Sequence, residues 1–353
     1  MRLVNIERVK PGDELAQSIL GADGAILLRE GVILTDTYIR RLKNIGVEFL
    51  YIKDAHLEDL KGQDAEFLQL KSQAVKSVST VFSKLQYNSV NEVRNTMDTI
   101  LNIVEYLLEN KDINSTYLME LKTFDNYTFI HSLNTCVLAL FFGVNLNYTR
   151  NMLLDLGMGA LLHDIGKTKI PTEILNKKGK LTEEEFEIMK KHTIYGYDIV
   201  KNIRYINERG KLVVLEHHER FDGSGYPNKL KGENISMFAR IGCISDVYDA
   251  IISDRVYRKG FLANEAYEFI LGGSGTFFDV ELVKIFKNNF SIYPLGVCVR
   301  LSNGIEGFVV GHNKGLPDKP VVRVIYDEKG NSIQPIEIDL SKQTNITIVD
   351  VIV

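Results

Sequence analysis

From about Leu57 to Phe290 the chain keeps a helical spacing of apolar residues and carries very few prolines, whereas both flanks alternate like strands. That contrast confines the fold to a helical body with a strand-bearing unit at each end. At 353 residues the chain also exceeds what one domain usually holds. Five of the seven histidines lie in the helical body: His131, His163, His192, His217 and His218, all in contexts that read as inward-facing. One buried imidazole is ordinarily a hydrogen-bonded core residue. Several converging in one helical core would each need polar partners that packing does not supply.

The neighbours of these histidines carry the chemistry further. In "GALLHDIGKTKIP" Asp164 stands beside His163 in a segment that should be mostly buried, an arrangement that is costly unless a positive charge offsets it. A divalent ion does so, with imidazole supplying nitrogen and carboxylate able to span two ions. We read the pair as helical neighbours about 100° apart, and His217-His218 in "LEHHERFDGSGYP" as the same geometry on another helix. Asp222-Gly223 and Gly225 then permit a sharp reversal, and Pro227 keeps the helix from resuming. Asp246, between Ser245 and Val247 in "ARIGCISDVYDAI", adds a carboxylate in the middle of an apolar helix. Such a nitrogen and oxygen set suits Fe, Mn, Zn or Co.

Composition narrows the remaining possibilities. A net charge of −4 gives no reason to expect a DNA or RNA polymer or an anionic membrane as partner. Cys136, Cys243 and Cys298 are far apart in apolar contexts and read as buried thiols rather than a disulfide. The start "MRLVNIERVKPGDE" lacks a signal-peptide core, and "TCVLALFFGV" is too short to span a bilayer, so a cytoplasmic setting is expected. No Ser-His-Asp site, reactive cysteine, Walker loop or dinucleotide fingerprint is present; the glycine-rich "LGGSGTFFD" does not follow a strand and reads as a loop. His56 and His312 are expected to be solvated.

Boundaries follow from punctuation. Residues 1–56 read as a small α+β unit with a hairpin tipped by Asp23-Gly24 and a helix capped by Thr35 and stopped by Gly46. Residues 57–115 read as a helical connecting region, and residues 116–290 hold the histidines. Thr182 and Glu185 there form a capping box, with Leu181 and Phe186 placed for a hydrophobic staple. Residues 291–353 carry about five short strands, with Asn303-Gly304 as a hairpin signal.

The succession His131, "HDIGK", His192, "HHERFDGSGYP" and "ARIGCISDVYDAIISDRVYR" closely resembles the HD-GYP subgroup of the HD-domain metal-dependent phosphohydrolases, across about half of the chain. The resemblance implies a multidomain protein: a central all-α HD-type helical bundle flanked by a small α+β N-terminal domain and a small C-terminal β domain. It makes His131, His163, Asp164, His192, His217, His218 and Asp246 metal ligands, with Asp164 bridging two divalent ions, iron or manganese. Some relatives with a third metal have a glutamate one turn before the first histidine; Tyr127 stands here, which favours two ions, although Glu216 and Glu219 remain oxygen donors. Family members hydrolyse cyclic di-GMP to pGpG or on to GMP through a hydroxide bridging the ions. In the resemblance Asp164 and Lys167 are catalytic, and Lys167, Tyr226, Arg255 and Arg258 meet the substrate. Asp249 and Asp222 would support them from behind. Cyclic GMP-AMP or another nucleotide is the alternative substrate, and a catalytically silent sensor the alternative class. The flanking domains would make a homodimer or meet a signalling partner.

Overall fold

A computed structural model describes residues 1–21, 23–60, 62, 65–84, 90–110, 127–254, 263–327, 331–343 and 345–352. At the N-terminus, β1 (Arg2–Asn5), β2 (Ile19–Leu20), β3 (Ile26–Leu28), α1 (Asp36–Asn44) and β4 (Phe49–Ile52) follow in order. β1 pairs antiparallel with β4, and β2 with β3 in the expected hairpin. The Thr35 side chain accepts the Tyr38 amide at the start of α1. Gly46, at φ +80°, turns the chain after it. Apolar residues of these elements, among them Leu15, Leu34, Leu42 and Leu50, make a small core of their own.

α2 (Ala65–Lys84) and α3 (Val90–Glu109) come next. They are more than a connection: Phe67, Val78, Val81, Ile100, Ile103 and Val104 join the same core as the helices that follow. The central bundle continues with α4 (Tyr127–Asn145), α5 (Arg150–Leu161), a 3₁₀ turn (Ile165–Lys169), α6 (Glu183–Lys190), α7 (His192–Val200), α8 (Glu208–Glu216), α9 (Met237–Asp254), α10 (Ala263–Gly272) and α11 (Val280–Asn289). At α6 the capping box forms in full, Thr182 and Glu185 each accepting the other's amide.

Two close approaches set the spacing of this bundle. α5 and α8 cross with their backbones almost touching, so a Cβ on Gly159 would lie 2.3 Å from the Gly210 carbonyl oxygen. The 3₁₀ turn abuts α7 as closely, a Cβ on Gly166 falling 1.9 Å from the His192 oxygen. Glycine is required at both points for space, not for an unusual φ.

Beyond the bundle, β5 (Cys298–Leu301), β6 (Glu306–Asn313), β7 (Leu316–Tyr326), β8 (Ser332–Asp339) and β9 (Ile348–Ile352) form one antiparallel sheet in the order β8-β7-β6-β5-β9. Asn303-Gly304 makes the first turn, with Gly304 at φ +86°. Val299, Leu301, Val309 and Val322 pack into the main core beside Phe286 and Phe290. The two strand-bearing ends also meet each other: the Leu3 amide donates to the Gly296 carbonyl at 3.0 Å. Arg323 donates to both oxygens of Asp59 at 2.7 Å and to Glu337 at 2.6 Å.

His56 is exposed, as expected. His312 corrects its expectation: it is half-buried, and its Nε2 donates to the Tyr293 carbonyl at 2.6 Å. Cys136 and Cys243 are buried, Cys298 is half-buried, and all three are free thiols. Among the described residues no helix is long and apolar enough to cross a membrane.

Gly159→Ala tests the crossing. The added methyl meets backbone rather than a movable side chain, so the variant should lose about 1–3 kcal/mol of stability in urea unfolding. An unchanged midpoint would mean that α5 and α8 stand further apart.

Candidate metal centre

The two His-bearing pairs do not sit within helices. α5 stops at Leu161 and α8 at Glu216, so His163-Asp164 and His217-His218 occupy the turns directly after helix ends. This corrects the reading of each pair as helical neighbours. The physical reason lies in the carbonyls that a helix leaves unpaired in its last turn. His163 Nδ1 donates to the Ala160 oxygen at 2.7 Å, and His217 Nδ1 lies 3.1 Å from the oxygens of Val213 and Val214. His192, the first residue of α7, uses the same device: its Nδ1 donates to the Met189 oxygen, at the end of α6, at 2.8 Å. Carbonyls only accept, so these bonds put the proton on Nδ1 and leave the Nε2 lone pair facing inward.

His131 reaches the same place from α4 by a different route. Its Nδ1 lies 2.7 Å from Asp249 Oδ2, and Asn134 donates to the other Asp249 oxygen at 2.9 Å. A carboxylate behind an imidazole fixes its orientation and raises its basicity. Asp249 therefore backs His131, one of the roles anticipated for it. Asn134 was missed, although an asparagine three residues after His131 in a mostly apolar helix was a usable signal.

The inward atoms converge. His131 Nε2 lies 3.0 Å from Asp246 Oδ1, and His163 Nε2 lies 3.7 Å from the same oxygen. His192 Nε2 and His217 Nε2 are 3.3 Å apart. The two oxygens of Asp164 face different imidazoles, Oδ1 toward His192 at 3.5 Å and Oδ2 toward His163 at 3.4 Å. Three groups have donor atoms mutually within 4.8 Å: His192, His217 and His218; His131, His163 and Asp164; His163, His217 and Asp246. All seven expected ligand residues are thus in one cluster. His163 Nε2 and Asp164 Oδ1 are buried without a hydrogen-bond partner. Orphaned polar atoms in a dry core are costly, and a divalent cation among them satisfies both, so the donor set fits a metal.

Electrostatics favour neutral imidazoles at His192, His217 and His218 and ionised carboxylates at Asp164 and Asp246, with His131 the exception. Burial lowers the pKa of His192 and, more strongly, of His217, and brings His218 down to about 3. Burial would lower His131 as well, but Asp246 and Asp249 outweigh it and raise its pKa to about 9. Asp164 is held well below the usual carboxylate range despite its burial, chiefly by the Lys167 ammonium. Cys243, one turn before Asp246, offers no thiolate, since burial pushes it up to about 12.

The other expected residues divide. Lys167 lies in the 3₁₀ turn rather than on a continued α-helix, and its Nζ is 2.5 Å from Asp164 Oδ2. Tyr226 lies over the cluster, its ring stacked on His218 with centroids 4.8 Å apart. Its amide donates to the His218 carbonyl at 3.2 Å. That reversal depends on Gly225, whose Cβ would fall 2.4 Å from the Arg220 nitrogen, and on Gly223 at φ +87°. Glu219 holds the turn from beneath, accepting the Asn228 and Leu230 amides at 2.6 and 3.0 Å. Glu216 accepts the Ser236 amide at 2.9 Å. Both glutamates are therefore loop anchors, which corrects their reading as spare oxygen donors. Asp222 also departs from expectation: it is exposed, and its carboxylate accepts the Ser224 amide at 2.8 Å within the turn. "LGGSGTFFD" is the loop expected, and it backs that turn by accepting the Phe221 and Asp222 amides. Arg255 and Arg258 lie outside the described residues.

Comparison with known proteins places this geometry. Residues 118–282 match the family model described as HD domain, and residues 298–353 match one described as KOW domain associated with HD domain. A cyclic di-GMP phosphodiesterase of Pseudomonas aeruginosa is 35% identical over 260 residues, covering 74% of this chain and 62% of its own length. The cyclic di-GMP phosphodiesterase response regulator RpfG of Xanthomonas campestris is 32% identical over 242 residues, covering 67% of this chain and 60% of its own length. The chain thus spans about 60% of the length of these curated relatives. A solved HDG"Y"P protein from Bdellovibrio bacteriovorus is alike in fold, with a TM-score of 0.54 at 18% identity over 81% of this chain and 99% of that one.

The cluster should make the metal-free protein sensitive to acid. His192, His217 and His218 have lowered pKa values in the fold, so the stability tied to them is complete above the unfolded value near 6.5 and is lost as pH falls toward about 3. Lowered Asp164 and Asp246 act in the same direction. His131 has the opposite sign, its contribution being lost as pH rises through about 9. Calorimetry of chelator-treated protein should therefore find the highest Tm near neutral pH and a fall on acidification to about pH 5. A Tm flat across that range would contradict the buried imidazole cluster.

Proposed function

We propose that this chain, whose residues 118–282 are an HD domain of the HD-GYP kind, is a metal-dependent phosphodiesterase that hydrolyses cyclic di-GMP. The observation that carries this reading is Asp164, buried with its two oxygens turned to different imidazoles, His163 and His192, in a cluster with orphaned donor atoms. The curated relatives, named as cyclic di-GMP phosphodiesterases, supply the substrate class.

His131, His163, Asp164, His192, His217, His218 and Asp246 would hold two divalent ions. A donor set of imidazoles and carboxylates, with the only nearby thiol protonated, suits iron or manganese. Bound there, the ions supply Lewis acidity toward phosphate oxygens and acidify the attacking water.

The remaining work belongs to the chain. Helix-end carbonyls keep His163, His192 and His217 in the tautomer that presents Nε2. Asp249, itself held by Asn134, keeps His131 turned inward. Lys167 orients Asp164 and brings a partly exposed ammonium to where an anionic phosphate enters, so it both positions a ligand and offsets charge that grows during hydrolysis. Tyr226 shields one side of His218 and closes the wall of the pocket. Hydrolysis yields pGpG and, with a second turnover, GMP. The N-terminal unit and the terminal sheet serve as the face for a second copy or a signalling partner.

Asp164→Ala should remove most bound metal and lower turnover about a hundredfold or more. Metal analysis after anaerobic purification, with chromatography of the products of cyclic di-GMP and cyclic GMP-AMP, measures both. Full turnover in that variant would defeat the two-metal reading. Metal-loaded wild-type protein that gives no linear product from either substrate would instead be a binding module.

A further inference from the structure

Resting on that phosphodiesterase reading, we propose that Phe186 and Lys190 of α6 form the guanine-binding rim of the site. Phe186 would offer its face to a base, and Lys190 its charge to the adjoining phosphate. The spacing in sequence suggests a hydrophobic staple for Phe186, but the residue is 47% exposed. It meets Tyr226 edge-on, with centroids 6.3 Å apart and planes at 82°. Tyr226 in turn stacks on His218 and lies 6.5 Å from the His192 ring. A run of rings therefore leads outward from the metal cluster through Tyr226 to a solvent-facing phenyl.

A single exposed aromatic is unremarkable on a protein surface. This one has a cation beside it and an anion-binding centre behind it. Lys190 Nζ lies 5.4 Å from the Phe186 centroid and 5.8 Å from that of Tyr226. Its present partner is Glu187 at 2.5 Å, whose side chain is 68% exposed. With Glu187 so exposed, Lys190 can exchange that carboxylate for a phosphate oxygen at little cost. The separation from the centre is fixed, because α6 runs into His192 with only Lys191 between. With one phosphate among the metal ligands, the base on its sugar extends outward to a site that needs an aromatic face. Every base has such a face, and stacking on protein aromatics is a general mode of nucleotide capture. A phosphoester without a base would use the metal cluster and Lys167 but not Phe186.

The protein has no tryptophan, so Phe186→Trp creates a single fluorescent reporter at the rim. Metal-loaded Phe186→Trp protein titrated with cyclic di-GMP or GMP should show saturable quenching, and ribose 5-phosphate should leave emission unchanged. Phe186→Ala should raise KM for cyclic di-GMP about tenfold, the size of one lost base contact, with kcat within about twofold. Lys190→Gln should raise KM similarly and reduce its dependence on salt. Turnover of cyclic di-GMP by Phe186→Trp with unquenched emission, or a KM unmoved in Phe186→Ala, would overturn the rim and leave the hydrolase standing. Quenching without turnover in the wild-type protein would do the reverse, and absence of both would remove the two together.

Discussion

The desolvated cluster of five imidazoles and two carboxylates is the constraint on which the rest of the bundle depends. An apolar helical core does not tolerate such groups singly, because each loses its hydration and recovers it only through a partner of the right kind. Hydrogen bonding within the chain settles the outward side of His131, His163, His192 and His217. The inward side is left with lone pairs and negative oxygens facing one another, with His192 and His217 Nε2 only 3.3 Å apart. Atoms of like polarity held at that distance are complementary to a cation. Folding thus prepares a donor-rich wall whose missing component is positive.

Helix termini are what make this preparation possible. An imidazole inside a helix would find the backbone carbonyls already occupied, whereas one just past the end reaches last-turn carbonyls that keep acceptor capacity to spare. α5 and the first turn of α8 pack with their backbones almost touching because both Gly159 and Gly210 lack a side chain. Gly166 then lets the turn carrying Asp164 and Lys167 press against α7 at His192. These glycines lie outside the donor set, yet they fix the distances within it. The electrostatic sense is also favourable, since the carboxyl end of a helix carries partial negative charge and attracts cations.

Much of this was legible in the sequence, and the exceptions share a cause. An acid or a pair of histidines in an apolar run violates ordinary burial at once, which singled out His163-Asp164, His217-His218 and Asp246, and the family resemblance completed the set with His131 and His192. Strand-bearing ends were legible through turn chemistry such as Asn303-Gly304, and the helix at Thr182 through its capping box. What escaped was placement: both pairs lie in turns after helices, and Asp222 serves its own turn instead of the ligands. Glu216 and Glu219 were equally ambiguous, since a glutamate beside paired histidines has the same local pattern whether it faces a metal or backbone amides. Apolar spacing tells which residues are inside, but it does not tell which backbone groups their polar atoms will find.

The same distinction separates chemistry from recognition. Metal ligands must be buried, charged or imidazole-bearing, and mutually close, so they are conspicuous against a core of leucine and valine. A base-binding rim must stay open to solvent, and its aromatic and basic residues are individually common on any helix surface. Phe186 and Lys190 acquire meaning only when the turn at Gly225 folds Tyr226 back over His218 and sets the three side chains together. That turn is pinned by Glu219 and by the loop before α11, elements far apart in sequence. Substrate preference in such a fold therefore belongs to contacts between segments, and two chains with the same metal donors can differ in it by changing one exposed ring.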